Sequence, residues 1–247
     1  MNKMNSSTNN VFVNQSDRSV RVHLGAMDEA RITKIATDKH RRWSSTTDTS
    51  YRINNMHSKL VGVAGEISVH RLMEKFAEIA KERHNRIINI DPIYLDEKRE
   101  GACDILVNGV RCEVKTLVWR DWVQFGPCIV AEQRRRIEQK ADIIIWVVHN
   151  KSRRSSSIMG FTPVDEIASV PATYTGVPEH RIFNHVMRYN VYELTTDLFF
   201  DYFGYMKNDH RNAKPIHVPT PDEVKGFDTM WNNYVQFYKN NTEPSMA

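Results

Sequence analysis

The segment GACDILVNGVRCEVKTLVW, residues 101–119, constrains the fold more than any other part of the chain. Within it, two runs of strand-forming residues flank the dipeptide Asn108-Gly109. Asn-Gly between such runs is the strongest short signal for a β-hairpin, because a two-residue type I′ turn needs a positive φ at both central positions. The segment therefore predicts two antiparallel strands joined by a tight turn.

The predicted turn also decides which side chains share a face of the hairpin. With two residues in the turn, Val107 pairs with Val110, and Asp104 stands directly opposite Glu113. The face predicted to lie against the core is wholly apolar and carries Ile105, Val107, Val110, Cys112 and Val114. The other face carries Asp104, Leu106, Arg111, Glu113 and Lys115. Two acids in facing positions repel each other, so either a bound divalent cation or the basic side chains of that face should balance them.

The rest of the chain predicts an α/β fold around this hairpin. Apolar residues at helical spacing indicate helices, whereas the continuous run ADIIIWVV is typical of a strand covered on both faces. The predicted elements are helices at 26–43, 57–82, 129–140 and 164–168, and strands at 87–95, 141–148 and 158–161. Thr196 and Thr220 could cap two later helices, the second with an apolar face for the body of the protein or a second subunit.

Composition excludes some classes of protein and leaves others open. The chain has 247 residues, 40% of them hydrophobic, with no apolar run long enough for a membrane span. The polar start MNKMNSSTNN lacks the apolar core of a signal peptide, so we expect a cytoplasmic protein without a membrane partner. Three cysteines without zinc spacing predict neither a disulfide framework nor a zinc site. The net charge of +4 is only weak support for a polyanionic partner.

The hairpin and its flanks resemble the PD-(D/E)xK nuclease superfamily. The signature of that superfamily is an acid at the start of one strand and an acid-x-Lys triplet on the next. Asp104 stands as the first acid, and Glu113-Val114-Lys115 stands as the triplet. Cys103 occupies the place of the name-giving proline, which many members also lack.

The flanking elements match the superfamily in their order. A helix that often carries a glutamate precedes the signature strands, and the predicted helix at 57–82 contains Glu66. A helix and a parallel strand follow the triplet, as predicted here at 129–140 and 141–148. In several branches that helix carries a glutamine near the site, and Gln133 could be its counterpart.

The resemblance implies a fold and a division of the chain. It implies an α/β restriction-endonuclease-like core, a central mixed β-sheet flanked by helices in the order αβββαβ, with N- and C-terminal helical additions. The predicted regions are a disordered tail at 1–10, a basic helical region at 11–56, the nuclease core at 57–168 and a C-terminal helical extension at 169–247, which packs on the core or on a second subunit.

The resemblance also implies a metal-dependent nuclease that hydrolyses phosphodiester bonds. Asp104 and Glu113 would bind Mg²⁺ or Mn²⁺ with the backbone carbonyl of Val114, and Glu66 would complete the site directly or through a water. Lys115 would orient the attacking water and help to deprotonate it. The products would be 5′-phosphate and 3′-hydroxyl ends, and we expect a DNA endonuclease rather than an exonuclease, with RNA left open as a substrate.

Gln133 is the remaining candidate of the catalytic site, as a positioning residue, and basic side chains are the candidates for phosphate contacts. The predicted nucleic-acid-binding residues are Lys34, Lys39, Arg41, Arg42, Arg134 and Arg135. Such contacts draw on Lys and Arg side chains and depend on salt. A run of charges on a helix is equally typical of an ordinary solvated face, so both interpretations stay open.

Alternatives to a DNA endonuclease of undefined role also stay open. One is a structure-specific junction resolvase of the same superfamily, which would fit a homodimer. Another is a DNA- or RNA-binding module that is catalytically silent. A phage, mobile-element or defence nuclease would have the same sequence features.

Overall fold

The computed structural model describes residues 11–13, 19–44, 56–85, 87–99, 101–168, 172–174, 184–186, 189, 191–192, 194 and 215–216. The helices are α1 (Ala26–Ser44), α2 (Met56–His84), α3 (Trp119–Phe125), α4 (Ala131–Lys140) and α5 (Val164–Ala168). The strands are β1 (Val11–Val13), β2 (Val20–His23), β3 (Ile90–Asp91), β4 (Ile105–Val107), β5 (Val110–Val118), β6 (Ile129–Val130), β7 (Ile143–Asn150), β8 (Ser155–Pro163), β9 (Ala172–Tyr174), β10 (Asn184–Val186), β11 (Val191–Tyr192) and β12 (Pro215–Ile216).

These strands form a mixed main sheet in the order β1-β2-β8-β7-β5-β4-β3, with β11 and β12 added beside β8. Strands β5 and β7 run parallel, and the chain passes from one to the other through α4. Neighbouring strands elsewhere in the described part of this sheet are antiparallel. A separate small sheet contains β6, β10 and β9. The predicted α/β class, a mixed sheet flanked by helices, is confirmed.

Two apolar layers enclose the main sheet, one on each face. On one face α1 and α2 pack against inward-facing residues of β4, β5 and β7. On the other face α3, α4 and α5 pack against the alternate residues of β7 and β8. All of Ile143–Val148 is therefore at most 5% exposed, which confirms the prediction of a strand covered on both sides.

The hairpin turn forms as predicted. Asn108 has a φ of 47° and Gly109 a φ of 87°, as a type I′ turn requires. Val107 pairs with Val110 and Ile105 with Cys112, so the predicted register is confirmed for these pairs. The five apolar residues assigned to the core-facing side are all at most 8% exposed.

The predicted strand at 87–95 is wrong over most of its length. Only Ile90–Asp91 pairs as a strand, and 3-10 turns follow at Ile93–Leu95 and Glu97–Arg99. Pro92 explains the end of the strand, because it has no backbone N–H to donate to a neighbour. After it, the Tyr94 amide donates to the Asp104 carbonyl at 2.9 Å, which ties the first 3-10 turn to the start of β4.

The terminal regions differ from the predictions as well. The region predicted as helical at 11–56 contains α1, as expected, but β1 and β2 in the same region belong to the main sheet. The predicted tail at 1–10 and the helices expected after Thr196 and Thr220 lie outside the described residues. In the region at 169–247, described residues form the short strands β9 to β12. Among the described helices, none combines the length and the apolar character needed to cross a membrane.

Candidate active site

Asp104 directly precedes β4, at the edge of the sheet that is formed by strand ends and not by an outer strand. The β4–β5 ladder becomes irregular there. Its amide donates to the Cys112 carbonyl at 2.9 Å, although Ile105 already pairs with Cys112. Regular pairing therefore ends one step short of the predicted Asp104–Glu113 pair. The Asp104 carboxylate instead accepts a hydrogen bond at 2.7 Å from the Val114 amide. The carboxylate thus serves as the acceptor that a regular strand partner would supply to that amide.

Glu113 lies on the α4 side of β5 and is only 3% exposed. Its Oε1 is 2.8 Å from the Nζ of Lys115, which follows two positions later on the same strand and face. Its Oε2 is 2.6 Å from the Nζ of Lys140, the last residue of α4. The structure thus brings Glu113 and Lys115 of the predicted triplet together and adds Lys140, a second lysine that the sequence did not single out.

Glu66 reaches the site from α2, on the opposite face of the sheet. The preceding residue, Gly65, lets the helix lie directly on β5, since a Cβ there would be 1.8 Å from the Thr116 Oγ1. Both carboxylate oxygens of Glu66 accept hydrogen bonds from the Lys39 ammonium, at 2.8 and 2.7 Å. The same ammonium lies 5.9 Å from the ring centroid of Tyr94.

The two acids of the hairpin differ in their electrostatic environment. Burial raises the pKa of Asp104 to about 8, and the charges of Glu113 and Glu66 add to the rise. The charge of Lys140 and the hydrogen bond from Val114 oppose it only in part. Burial also raises the pKa of Glu113, but the charges of its two lysines outweigh burial and lower it below its usual range. The positive charge near Asp104 is therefore too small to offset its burial and the two neighbouring carboxylates, in contrast to Glu113.

A salt bridge between the strand and the end of α4 holds Lys140 beside Glu113. The Arg111 guanidinium lies 2.7 Å from Asp142 Oδ1, and the Arg111 amide donates to Asp142 Oδ2 at 2.8 Å. In return the Asp142 amide donates to the Arg111 carbonyl at 2.8 Å, and a further guanidinium hydrogen bond reaches the Gln139 carbonyl at 2.9 Å. The start of β5 and the junction of α4 with β7 are thus fixed to each other.

The donors at this edge include oxygen atoms of the types that a hard divalent cation prefers. Asp104 and Glu113 supply carboxylate oxygens, which Mg²⁺ prefers, and the Val114 carbonyl lies on the same strand edge as the amide that Asp104 binds. Among the described residues, no three Asp, Glu, His or Cys side chains form a group that could hold a metal. The arrangement therefore offers two carboxylates and a carbonyl, while Lys39 holds the Glu66 carboxylate.

The other predicted site residues are less closely tied to this centre. Gln133 lies exposed on α4, so its role stays a prediction. Lys39 is a partner of Glu66 rather than part of an open phosphate-binding surface. Of the remaining basic candidates, Lys34, Arg41 and Arg135 are exposed, and Arg42 and Arg134 are half-buried. Arg41 pairs with Asp38 at 2.8 Å.

Sequence reasoning missed Lys140 and the pairing of Lys39 with Glu66. Only proximity in the folded chain identifies them, because neither lysine lies in a motif with its acid. Comparisons of the chain with protein-family models, with curated proteins and with solved structures found no match.

Proposed function

We propose that this chain is a metal-dependent nuclease of the PD-(D/E)xK type, a DNA endonuclease that leaves 5′-phosphate and 3′-hydroxyl ends. One observation carries the proposal. Glu66 on α2, Asp104 directly before β4 and Glu113 on β5 are close enough for the charges of the two glutamates to raise the pKa of Asp104, and lysines contact Glu66 and Glu113. Acids and lysines gathered in this way suit the hydrolysis of a phosphodiester, which needs a cation, an oriented water and charge stabilisation.

The order of elements supports a restriction-endonuclease-like core. The helix with Glu66, the strands β3, β4 and β5, then α4 and β7 follow one another as αβββαβ, with α3 and β6 inserted before α4. The parallel pairing of β5 with β7 agrees with the expected strand after the second helix. The acid-x-Lys triplet lies on β5, with both charged residues on the face toward α4.

Asp104 and Glu113 would hold the cation in this proposal, with the Val114 carbonyl. When bound, the cation supplies the positive charge that activates a water and neutralises the phosphate. The raised pKa of Asp104 supports this assignment, because a group repelled by two carboxylates gains most from an added cation. Glu66 would act at longer range, since its oxygens bind Lys39.

Lys115 would orient the attacking water and stabilise charge on the phosphate. The Lys115 side chain is 23% exposed, and its ammonium lies 2.8 Å from Glu113 Oε1. The side chain therefore contacts both the acid and the solvent from which a substrate would arrive. Exposed Lys34, Arg41 and Arg135 are the candidates for contacts with more distant phosphates.

The test is incubation of the purified protein with plasmid DNA, linear duplex, single-stranded DNA and RNA, each with EDTA, Mg²⁺ or Mn²⁺. We expect Mg²⁺- or Mn²⁺-dependent nicking of the plasmid. Asp104→Asn and Glu113→Gln should each lower the rate at least a hundredfold, the order of magnitude of losing one preorganised electrostatic contact.

Matched controls separate loss of the site from loss of a charge. Asp165→Asn and Glu82→Gln remove exposed carboxylates of the same types and should leave the rate unchanged. Undiminished cutting by both site variants, or no cleavage by the wild type with any substrate and cation, would refute the proposal.

A further inference from the structure

Lys140 reaches Glu113 from the end of α4. Its Nζ is 2.6 Å from Glu113 Oε2, and its charge also acts on Asp104, which is partly buried beside Glu113. Lys115 contacts the other oxygen of Glu113 and lies further along the strand. Lys140 contacts one acid, and its charge also lowers the pKa of the other, so it competes for a position where one cation could contact both acids.

A lysine and a divalent cation cannot share that position. Mg²⁺ binds carboxylate oxygens at about 2.0–2.1 Å and repels a neighbouring ammonium, so its binding to one oxygen of Glu113 weakens a lysine contact with that same oxygen. Glu113 has two oxygens, and each already contacts a lysine. A cation that binds Asp104 and the Oε2 of Glu113 would consequently compete with Lys140.

We propose that Lys140 substitutes for the cation in the ion-free protein and is released when a divalent cation binds, so that cation affinity and the Lys140–Glu113 contact are coupled. The inference rests on the proposed function and assigns a role to a residue outside the resemblance. Lys140 is here a positioning residue: it keeps Glu113 in place until the cation arrives. Its side chain is 24% exposed, which leaves space for the ammonium to move outward toward solvent and substrate.

The test measures Ca²⁺ binding to full-length protein without DNA, by calorimetry, together with the melting temperature in EDTA and in Ca²⁺. Because Lys140→Gln removes the competing charge, we expect Ca²⁺ to bind about five- to tenfold more tightly, within the usual range of coupling between two binding events. The variant should melt lower than wild type in EDTA and gain more from Ca²⁺.

Lys140→Arg gives the opposite expectation. A guanidinium binds a carboxylate through two hydrogen bonds, so it should hold Glu113 more firmly and weaken Ca²⁺ binding several-fold. Lys81→Gln, at an exposed position of α2, is the matched control and should leave both affinity and melting temperature unchanged.

The outcomes distinguish this inference from the proposed function. If Asp104→Asn abolishes Ca²⁺ binding but both Lys140 variants bind like wild type, Lys140 has no coupled role and the inference alone fails. If Lys140→Gln melts lower by the same amount in EDTA and in Ca²⁺, the residue is merely structural and the inference again fails. If wild type binds no divalent cation, the proposed function fails with it. Should Lys140→Gln not fold, unchanged or tighter binding by Lys140→Arg overturns the coupling.

Discussion

Asp104 and Glu113 are neighbouring acids on one hairpin, yet the protein treats them in opposite ways. Glu113 is almost completely buried and has two lysine partners, and their charges lower its pKa. Asp104 has a backbone amide as its partner, and burial together with two other carboxylates raises its pKa to about 8. Positive charge is therefore unevenly distributed at this edge of the sheet, and less of it lies near Asp104 than near Glu113.

Removing Glu113 should have the largest effect on stability. Glu113→Gln leaves two ammonium groups facing a neutral amide in a partly buried site. Breaking one side of a buried ion pair typically costs about 3–5 kcal/mol, and the partial exposure of both lysines lowers the expected loss to about 2–3 kcal/mol. Urea unfolding in EDTA measures the change, and Glu82→Gln should lie within about 0.5 kcal/mol of wild type. An unchanged midpoint would mean that Glu113 is not stabilised as described.

Gly65→Ala should disturb the Glu66 side of the site and leave the contacts of Glu113 in place. The added Cβ would be 1.8 Å from Thr116 Oγ1 and 2.9 Å from Thr116 Cβ, so α2 must move away from β5. Overpacking of this kind costs about 1–3 kcal/mol. Gly62→Ala in the same helix meets nothing within 4 Å and should stabilise by about 0.5–1 kcal/mol. Thermal unfolding of the two variants should therefore shift in opposite directions, and a shared direction would contradict the close approach.

Asp104→Asn should have the smallest effect and the opposite sign to Glu113→Gln. A carboxyl whose pKa is raised on folding contributes stability that is fully present below its unfolded pKa and is lost as pH rises through its folded pKa. For Asp104 that window runs from about pH 4 to about pH 8. The asparagine variant keeps an acceptor for the Val114 amide and lacks the charge repelled by Glu113 and Glu66, so in EDTA it should be more stable than wild type by about 1 kcal/mol at pH 8.

The measurement is the free energy of unfolding of both proteins from pH 5 to pH 8. The difference between them should grow with pH and shrink toward zero at the acidic end. A variant that is less stable than wild type at pH 8 would show that Asp104 is adequately compensated in the ion-free protein, and the contrast with Glu113 would disappear.

Local sequence patterns predicted much of the fold because local physics decides those elements. Asn108-Gly109 imposes its own turn, and the alternation on both sides of it decides which residues face the core. The long helices α1 and α2 also follow from their patterns. In contrast, β2 is a short strand whose pairing with β8 joins distant parts of the chain, and no local pattern indicates that pairing. Helix α3 was not predicted, since it has only seven residues and therefore shows little helical periodicity.

The candidate site was predictable only in part, because local structure brings together some of its residues and long-range packing brings in the others. Asp104, Glu113 and Lys115 lie within one hairpin, so their spacing in the sequence was enough to identify them as a group. Lys140 and Lys39 reach the acids through the crossover and the packing of α1, which depend on long-range contacts. Even Asp104 differs from the simple expectation, because the ladder becomes irregular one residue earlier than regular pairing predicts.

Helix α4 ends at Lys140, whose side chain contacts Glu113, so the carbonyl end of the helix lies near that acid. Aligned peptide dipoles give such an end a partial negative charge of about half an elementary charge, which attracts cations and repels anions. The backbone thus adds to the pull of the acids on a cation and offers no help to a phosphate. If the proposed nuclease function holds, attraction of a nucleic-acid strand to this edge must come from lysine and arginine side chains, and its strength should fall steeply with ionic strength.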